Sequence, residues 1–190
     1  EALPGYRYHF VQVKGFAGTP AEANADGVVI APVADEIARY AREQGLTKPA
    51  VVGHSMGGTI GLMIAARHGD AISKLMVVDQ LAFLGAIYGP PGTTSKSVRP
   101  TADKLRDDMA NAPKEAFEKR VETMTTAMVR SDVQRPLVLA DAKASDRRTV
   151  ANAFHELIVT DLRPELGGVP VPVTVLYVNP AGVSLADEQI

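Results

Sequence analysis

Apolar and polar positions change period several times along this chain, and each change marks an element. Residues 6–13 carry Tyr6, Tyr8, Phe10, Val11 and Val13, an aromatic and β-branched run that predicts a strand. A turn-rich loop follows, Lys14-Gly15-Phe16-Ala17-Gly18-Thr19-Pro20, and then the polar residues 21–27. Over residues 28–44, Val29, Val33, Ile37 and Tyr40 recur at helical spacing, with Asp35, Glu36, Arg39 and Arg42 on the wet side. Pro32 falls in the first turn of that helix, where its missing N–H costs nothing, and Gly45 ends it. Residues 50–52 read as a short apolar strand and residues 57–67 as a helix of small and apolar residues. Residues 74–78 read as a third strand, largely apolar like those buried on both faces of a parallel sheet, and it ends on Asp79.

Strands alternating with helices predict a doubly wound parallel α/β sheet. The alternation breaks after Asp79. Residues 85–100 contain the loop Gly89-Pro90-Pro91-Gly92, and helical patterns follow near residues 101–111, 113–128, 133–144 and 147–160. Pro113 suits the first helical position of the second of these. Leu105, Met109, Phe117, Val121, Met124 and Met128 form an apolar stripe. Helix–helix core is one reading of it; a lid with an adaptable apolar face over a site is the other. A strand is expected again over residues 170–178, and Ser184-Leu185-Ala186-Asp187 reads as a capping box opening a helix. The expected organisation is a core of residues 1–84 and 167–190, with residues 85–166 as a helical insertion.

Composition narrows the partners. The 190 residues suit one domain with a real core; 46% are hydrophobic and 22% charged, with a net charge of −2. Only 5% are aromatic and no basic run occurs, so no nucleic-acid partner is expected. Cysteine is absent, which removes disulfides and thiol chemistry. No apolar stretch has the length of a membrane span, so a soluble protein is expected, cytoplasmic or exported, of undetermined oligomeric state.

The candidate chemistry sits where strand meets helix, in Val51-Val52-Gly53-His54-Ser55-Met56-Gly57-Gly58-Thr59. The pattern is Gly-x-Ser-x-Gly between an apolar strand and a small-residue helix, the context of a nucleophile elbow. Such a turn holds its serine in a strained backbone conformation at the top of the sheet. Side chains two before and two after the serine are expected to collide, which calls for Gly53 and Gly57. Gly58 lets the new helix press on its neighbours. A phosphate-cradling loop fits worse, because neither Gly-x-Gly-x-x-Gly after a strand nor Gly-Lys-Ser/Thr is present.

These residues resemble the α/β-hydrolase superfamily, in its capped, esterase- or lipase-like branch. Gly53 to Gly58 is similar to its elbow, Lys14 to Gly18 to the loop after the preceding strand, and Leu75 to Asp79 to the strand after the elbow. The resemblance implies an α/β-hydrolase sheet with a helical lid inserted after the strand ending at Asp79. It implies acyl transfer on carboxylic esters or related small-molecule substrates, without cofactor or metal. Ser55 would be the nucleophile, and the backbone N–H of Met56 would bind the oxyanion. Asp79 is favoured as the acid, at the carboxyl edge of the sheet, with Asp187 second. A structural role for Asp79, accepting N–H bonds from its own loop, is the alternative. Of the four histidines, only His155 is considered as a substitute base, and the base is expected to lie outside this chain. The family pattern is expected to begin before residue 1 and continue after residue 190. A strand of that pattern, falling between residues 6–13 and residues 50–52, is expected to be missing, which leaves a groove or an unusual pairing beside the elbow strand. Amide cleavage, acyltransfer or carbon–carbon hydrolysis on the same site, or a fold that has lost catalysis, are the competing functions.

Overall fold

A computed structural model describes residues 4–177. Asp187 and the capping box around it lie outside the described residues. Three parallel strands form the sheet: β1 (Ala50–His54), β2 (Lys74–Val78) and β3 (Val173–Leu176), in that spatial order. Each crossover carries helices, as parallel pairing requires. Helix α1 (Ile30–Glu43) precedes β1, and α2 (Met56–Arg67) joins β1 to β2. Between β2 and β3 run α3 (Ser95–Ala110), α4 (Lys114–Met128), α5 (Arg135–Ala144), α6 (Arg147–Val159) and the single turn α7 (Arg163–Leu166).

The core lies where α1, α2 and α6 meet one face of the sheet. Val29, Ile30, Val33, Ala34 and Ala38 of the α1 region pack with Ile60, Leu62, Met63, Ile64 and Ala65 of α2. Leu75 and Val77 rise into this cluster from β2, and Ala153 and Leu157 join it from α6. Helix α2 is buried along most of its length because sheet and helices enclose it, so its apolar residues need no stripe. Gly61 makes that approach close: a methyl group there would meet the Leu75 side chain at 2.6 Å.

Several expectations are corrected. Residues 6–13 form no strand; they run outside the sheet, with Tyr6 and Phe10 exposed. Strand propensity expresses packing on a pleated neighbour, and among the described residues no strand lies beside this segment. The same observation holds for β1, which pairs with β2 on one side and with no described strand on the other. Residues 74–78 are buried on one face only: Leu75 and Val77 are inside, whereas Met76 is 36% exposed. Its β1 neighbour in the register, Val52, is 69% exposed, because no described helix covers that face. Helix α3 begins at Ser95, well before the expected boundary, and contains Pro100. Its start is set by a reciprocal cap in which Thr94 and Ser97 bond each other's backbone. Pro113 caps α4 from outside rather than opening it.

Helix α6 and the two residues before it bind the segment 14–30. Asp146 N–H donates to the Gly15 carbonyl at 2.7 Å, and Ala17 N–H donates to Ser145 Oγ at 3.0 Å. Asn152 Nδ2 donates to the carbonyls of Asn24 and Ala25. The Glu156 carboxylate accepts from Val29 N–H at 2.6 Å and Ile30 N–H at 2.5 Å, capping α1 from far along the chain.

Candidate functional site

Ser55 stands at the junction of β1 and α2 with φ 51° and ψ −121°, a conformation that costs on the order of 1–3 kcal/mol for a residue with a side chain. The surround that holds it is visible bond by bond. Ser55 N–H donates to the Val78 carbonyl at 3.0 Å, which fixes the turn to the neighbouring strand. The Ser55 carbonyl accepts from Gly58 N–H at 2.7 Å and Thr59 N–H at 3.3 Å, which starts the helix. The N–H groups of Met56 and Gly57 belong to the first turn, where α-helical geometry supplies no intrahelical acceptor and partial positive charge accumulates.

The glycines divide differently from expectation. A methyl group at Gly53 would lie 2.1 Å from the Gly57 carbonyl oxygen, so the backbones at this turn leave no room for one. A methyl group at Gly57 would meet nothing within 4 Å; its presence is not a steric requirement of this fold. At Gly58 the same group would press on Gln80 Cβ at 2.9 Å and Val77 Cγ1 at 3.0 Å, which is the close helix–sheet approach expected there.

Asp79 follows β2 as Ser55 follows β1. His54 pairs with Val78 in the parallel register, so the two residues leave neighbouring strands side by side at one edge of the sheet. Asp79 also has a positive φ, 52°, and its N–H donates to the Leu176 carbonyl of β3 at 2.7 Å. No hydrogen bond joins the Asp79 and Ser55 side chains among the described residues. His9 Nδ1 is hydrogen-bonded to the Tyr40 hydroxyl at 2.9 Å, His68 Nε2 lies 2.7 Å from Asp35, and His155 Nε2 lies 2.9 Å from Asp103 of α3. His54 is exposed beside Ser55 in sequence. None of these rings is hydrogen-bonded to Ser55 among the described residues.

Sequence reasoning missed Gln80. It is 7% exposed, beneath the turn, where its Nε2 donates to Thr59 Oγ1 at 2.7 Å and its Oε1 accepts from Leu81 N–H. No periodicity marks a lone buried amide; only its place directly after Asp79 could have drawn notice. A surface hollow lined by Asp26, Arg106, Asp107, Asn111, Arg148 and Asn152 lies across α3 and α6 and does not include Ser55. Among the described residues no cluster of His, Asp and Glu is arranged to hold a metal, and no helix is long and apolar enough to cross a membrane.

The strand–turn–helix at Ser55 and the parallel sheet define a class. A family model described as "alpha/beta hydrolase fold" matches residues 1–156, and this chain belongs to that family. A curated relative, "Putative carbamate hydrolase RutD" of Serratia proteamaculans (strain 568), is 27% identical over 161 residues, spanning 80% of this chain and 55% of the relative. "Epoxide hydrolase 3" of Xenopus tropicalis is 28% identical over 75 residues, 40% of this chain and 20% of that protein. Among solved structures, a hydrolase from Pseudomonas aeruginosa PA01 superposes with TM-score 0.68 at 17% identity, over 87% of this chain and 58% of its own. The enol-lactonase from Burkholderia xenovorans LB400 superposes with TM-score 0.64 at 21% identity, over 87% and 59%. These superpositions show the shared fold. The chain spans about 55% of the RutD relative's length.

Proposed function

We propose that this chain carries the nucleophile half of a serine hydrolase acting on carboxylic esters or related acyl compounds, carbamates among them. The single observation behind this reading is the backbone of Ser55, strained at φ 51° where a strand turns into a helix. Ser55 Oγ attacks the acyl carbon while a histidine base takes its proton, the Met56 N–H stabilises the oxyanion, and the alcohol or amine leaves with that proton; Asp79 orients the histidine from the adjacent strand end. Loss of one oxyanion donor costs about 3 kcal/mol in transition-state energy in such sites. Residues 85–166 act as a lid, and the exposed Met124 and Met128 of α4 offer the adaptable apolar surface an acyl or alkyl group needs.

The test is labelling by a fluorophosphonate probe, together with hydrolysis of a short-chain aryl ester by the natural full-length protein. Both are expected to vanish in Ser55→Ala. Labelling that persists in that variant overturns the reading.

A second reading is favoured by the histidines. His9, His68 and His155 each have another partner, and a serine hydroxyl without a base within about 3 Å is a poor nucleophile at neutral pH. On this reading the 190-residue chain by itself neither labels nor hydrolyses, and a histidine from elsewhere in the natural protein completes the site. Ester hydrolysis by the isolated chain, abolished by Ser55→Ala, would refute it.

A further inference from the structure

We propose that Gln80 and Thr59 act together as a brace that positions the Ser55 turn against the loop carrying Asp79. The inference rests on the reading of Ser55 as nucleophile. Gln80 is the residue after Asp79, and Thr59 lies in the first turn of the helix that Ser55 caps. Their side chains meet in the interior, Thr59 4% and Gln80 7% exposed, through one hydrogen bond of 2.7 Å.

The geometry makes this pair more than filling. Thr59 N–H already bonds the Ser55 carbonyl, so a shift of Thr59 is felt directly at Ser55. Gln80 is held at its other end, because its Oε1 accepts from Leu81 N–H at 3.2 Å. Its Cβ is pressed toward Gly58, where a methyl group would approach within 2.9 Å. The amide is therefore held at both ends, its Nε2 on Thr59 and its Oε1 on Leu81. The backbone bond from Ser55 N–H to Val78 ties the start of the turn to β2. The Gln80–Thr59 bond ties the start of the helix to the second residue beyond β2. Between these two ties the Met56 N–H and the Ser55 hydroxyl have their direction fixed relative to Asp79. Both ties are needed because Ser55 and Asp79 each hold a positive φ that relaxation would relieve.

The natural full-length protein is the material for the test, with aryl-ester hydrolysis and fluorophosphonate labelling measured beside thermal unfolding. Thr59→Val replaces the hydroxyl by a methyl group of the same shape and leaves the Gln80 donor without a partner. The expected result is a fall in kcat of about ten-fold with KM changed by less than about two-fold, the mark of a misaligned reacting group. Thr59→Ser, which returns the hydroxyl, recovers the rate. Gln80→Leu gives the same loss, and the double variant Thr59→Val/Gln80→Leu is no slower than either single one, since the two act as one unit. If Gln80→Leu does not fold, the Thr59 series alone decides. Folded Thr59→Val with an unchanged kcat overturns the brace, as does Thr59→Ser as slow as Thr59→Val. Full hydrolysis by Ser55→Ala overturns instead the reading of Ser55 on which it rests.

Discussion

A methyl group on Gly53 would stand 2.1 Å from the carbonyl oxygen of Gly57, and nothing comparable faces Gly57 itself. The turn at Ser55 closes so tightly that the strand backbone meets the helix backbone four residues further along the chain. That contact is between main-chain atoms, so no rotamer change can relieve it.

Gly53→Ala is accordingly expected to destabilise the protein by about 3 kcal/mol or more, at the upper end of overpacking costs. Gly57→Ala is expected to be tolerated and to raise stability by up to about 1 kcal/mol, because alanine is the better helix residue. Urea unfolding midpoints of the two variants check both. Equal losses at the two positions would show that the turn is not closed as described.

Burial on one face of the sheet separates two valines that sequence alone treats alike. Val77 is fully buried, and Val52 is 69% exposed. Val77→Ala is expected to cost about 2 kcal/mol through lost apolar burial and the cavity left behind, whereas Val52→Ala is expected to cost a few tenths, at about 25 cal/mol per Å² lost. The measurement is again the unfolding midpoint, and a large loss at Val52 would mean that a further element covers that face in solution.

Glu156 joins α6 to the start of α1 by accepting from two backbone N–H groups. Burial pushes its carboxyl above the ordinary 4.5, against the opposing pull of the Ile30 and Val29 N–H groups. A folded-state pKa raised above the unfolded one means the folded protein holds the proton more tightly. Its contribution to stability is then full below the ordinary value and declines as pH rises through the raised one. Glu156→Gln is expected to remove this decline. It is also expected to destabilise at neutral pH by about 1–3 kcal/mol, because the amide NH₂ cannot accept and one buried N–H loses its partner. Unfolding measured from pH 4 to pH 8 distinguishes the variant by its flatter profile.

Arg67 and Glu165 carry the opposite sign. Two parallel bonds of 2.8 Å join the end of α2 to α7, and the Arg67 guanidinium holds the Glu165 carboxyl below its ordinary range, against partial desolvation. A lowered folded pKa stabilises above the unfolded value and is lost as pH falls through the folded one. Glu165→Gln is expected to cost about 0.5–1 kcal/mol at pH 7, the scale of a part-exposed ion pair, and nothing at a pH below both values. High salt is expected to shrink the wild-type advantage, and an effect unchanged by salt and by acid would sink this account.

The sequence by itself determined the parts governed by local rules. The period of residues 28–44 marks α1, the apolar run at 74–78 gives β2 to the residue, and Gly53-x-Ser55 between strand and helix marks the strained turn. The resemblance to the α/β-hydrolase family lay in Gly53 to Gly58, Lys14 to Gly18 and Leu75 to Asp79, and membership is shown by the match over residues 1–156. Only the tertiary structure decided the parts that depend on a neighbour. Residues 6–13 have a strand's composition and form no strand, because a ladder needs a second strand beside it. Val52 and Val77 look equivalent until the helices are seen on one face. Gln80 and Thr59 are ordinary polar letters 21 positions apart until a parallel crossover brings them together in the interior, where a buried amide must find its partner. Local pattern fixes what a segment prefers, and long-range packing fixes whether that preference is met, because pairing and burial energies belong to pairs of segments and not to either one.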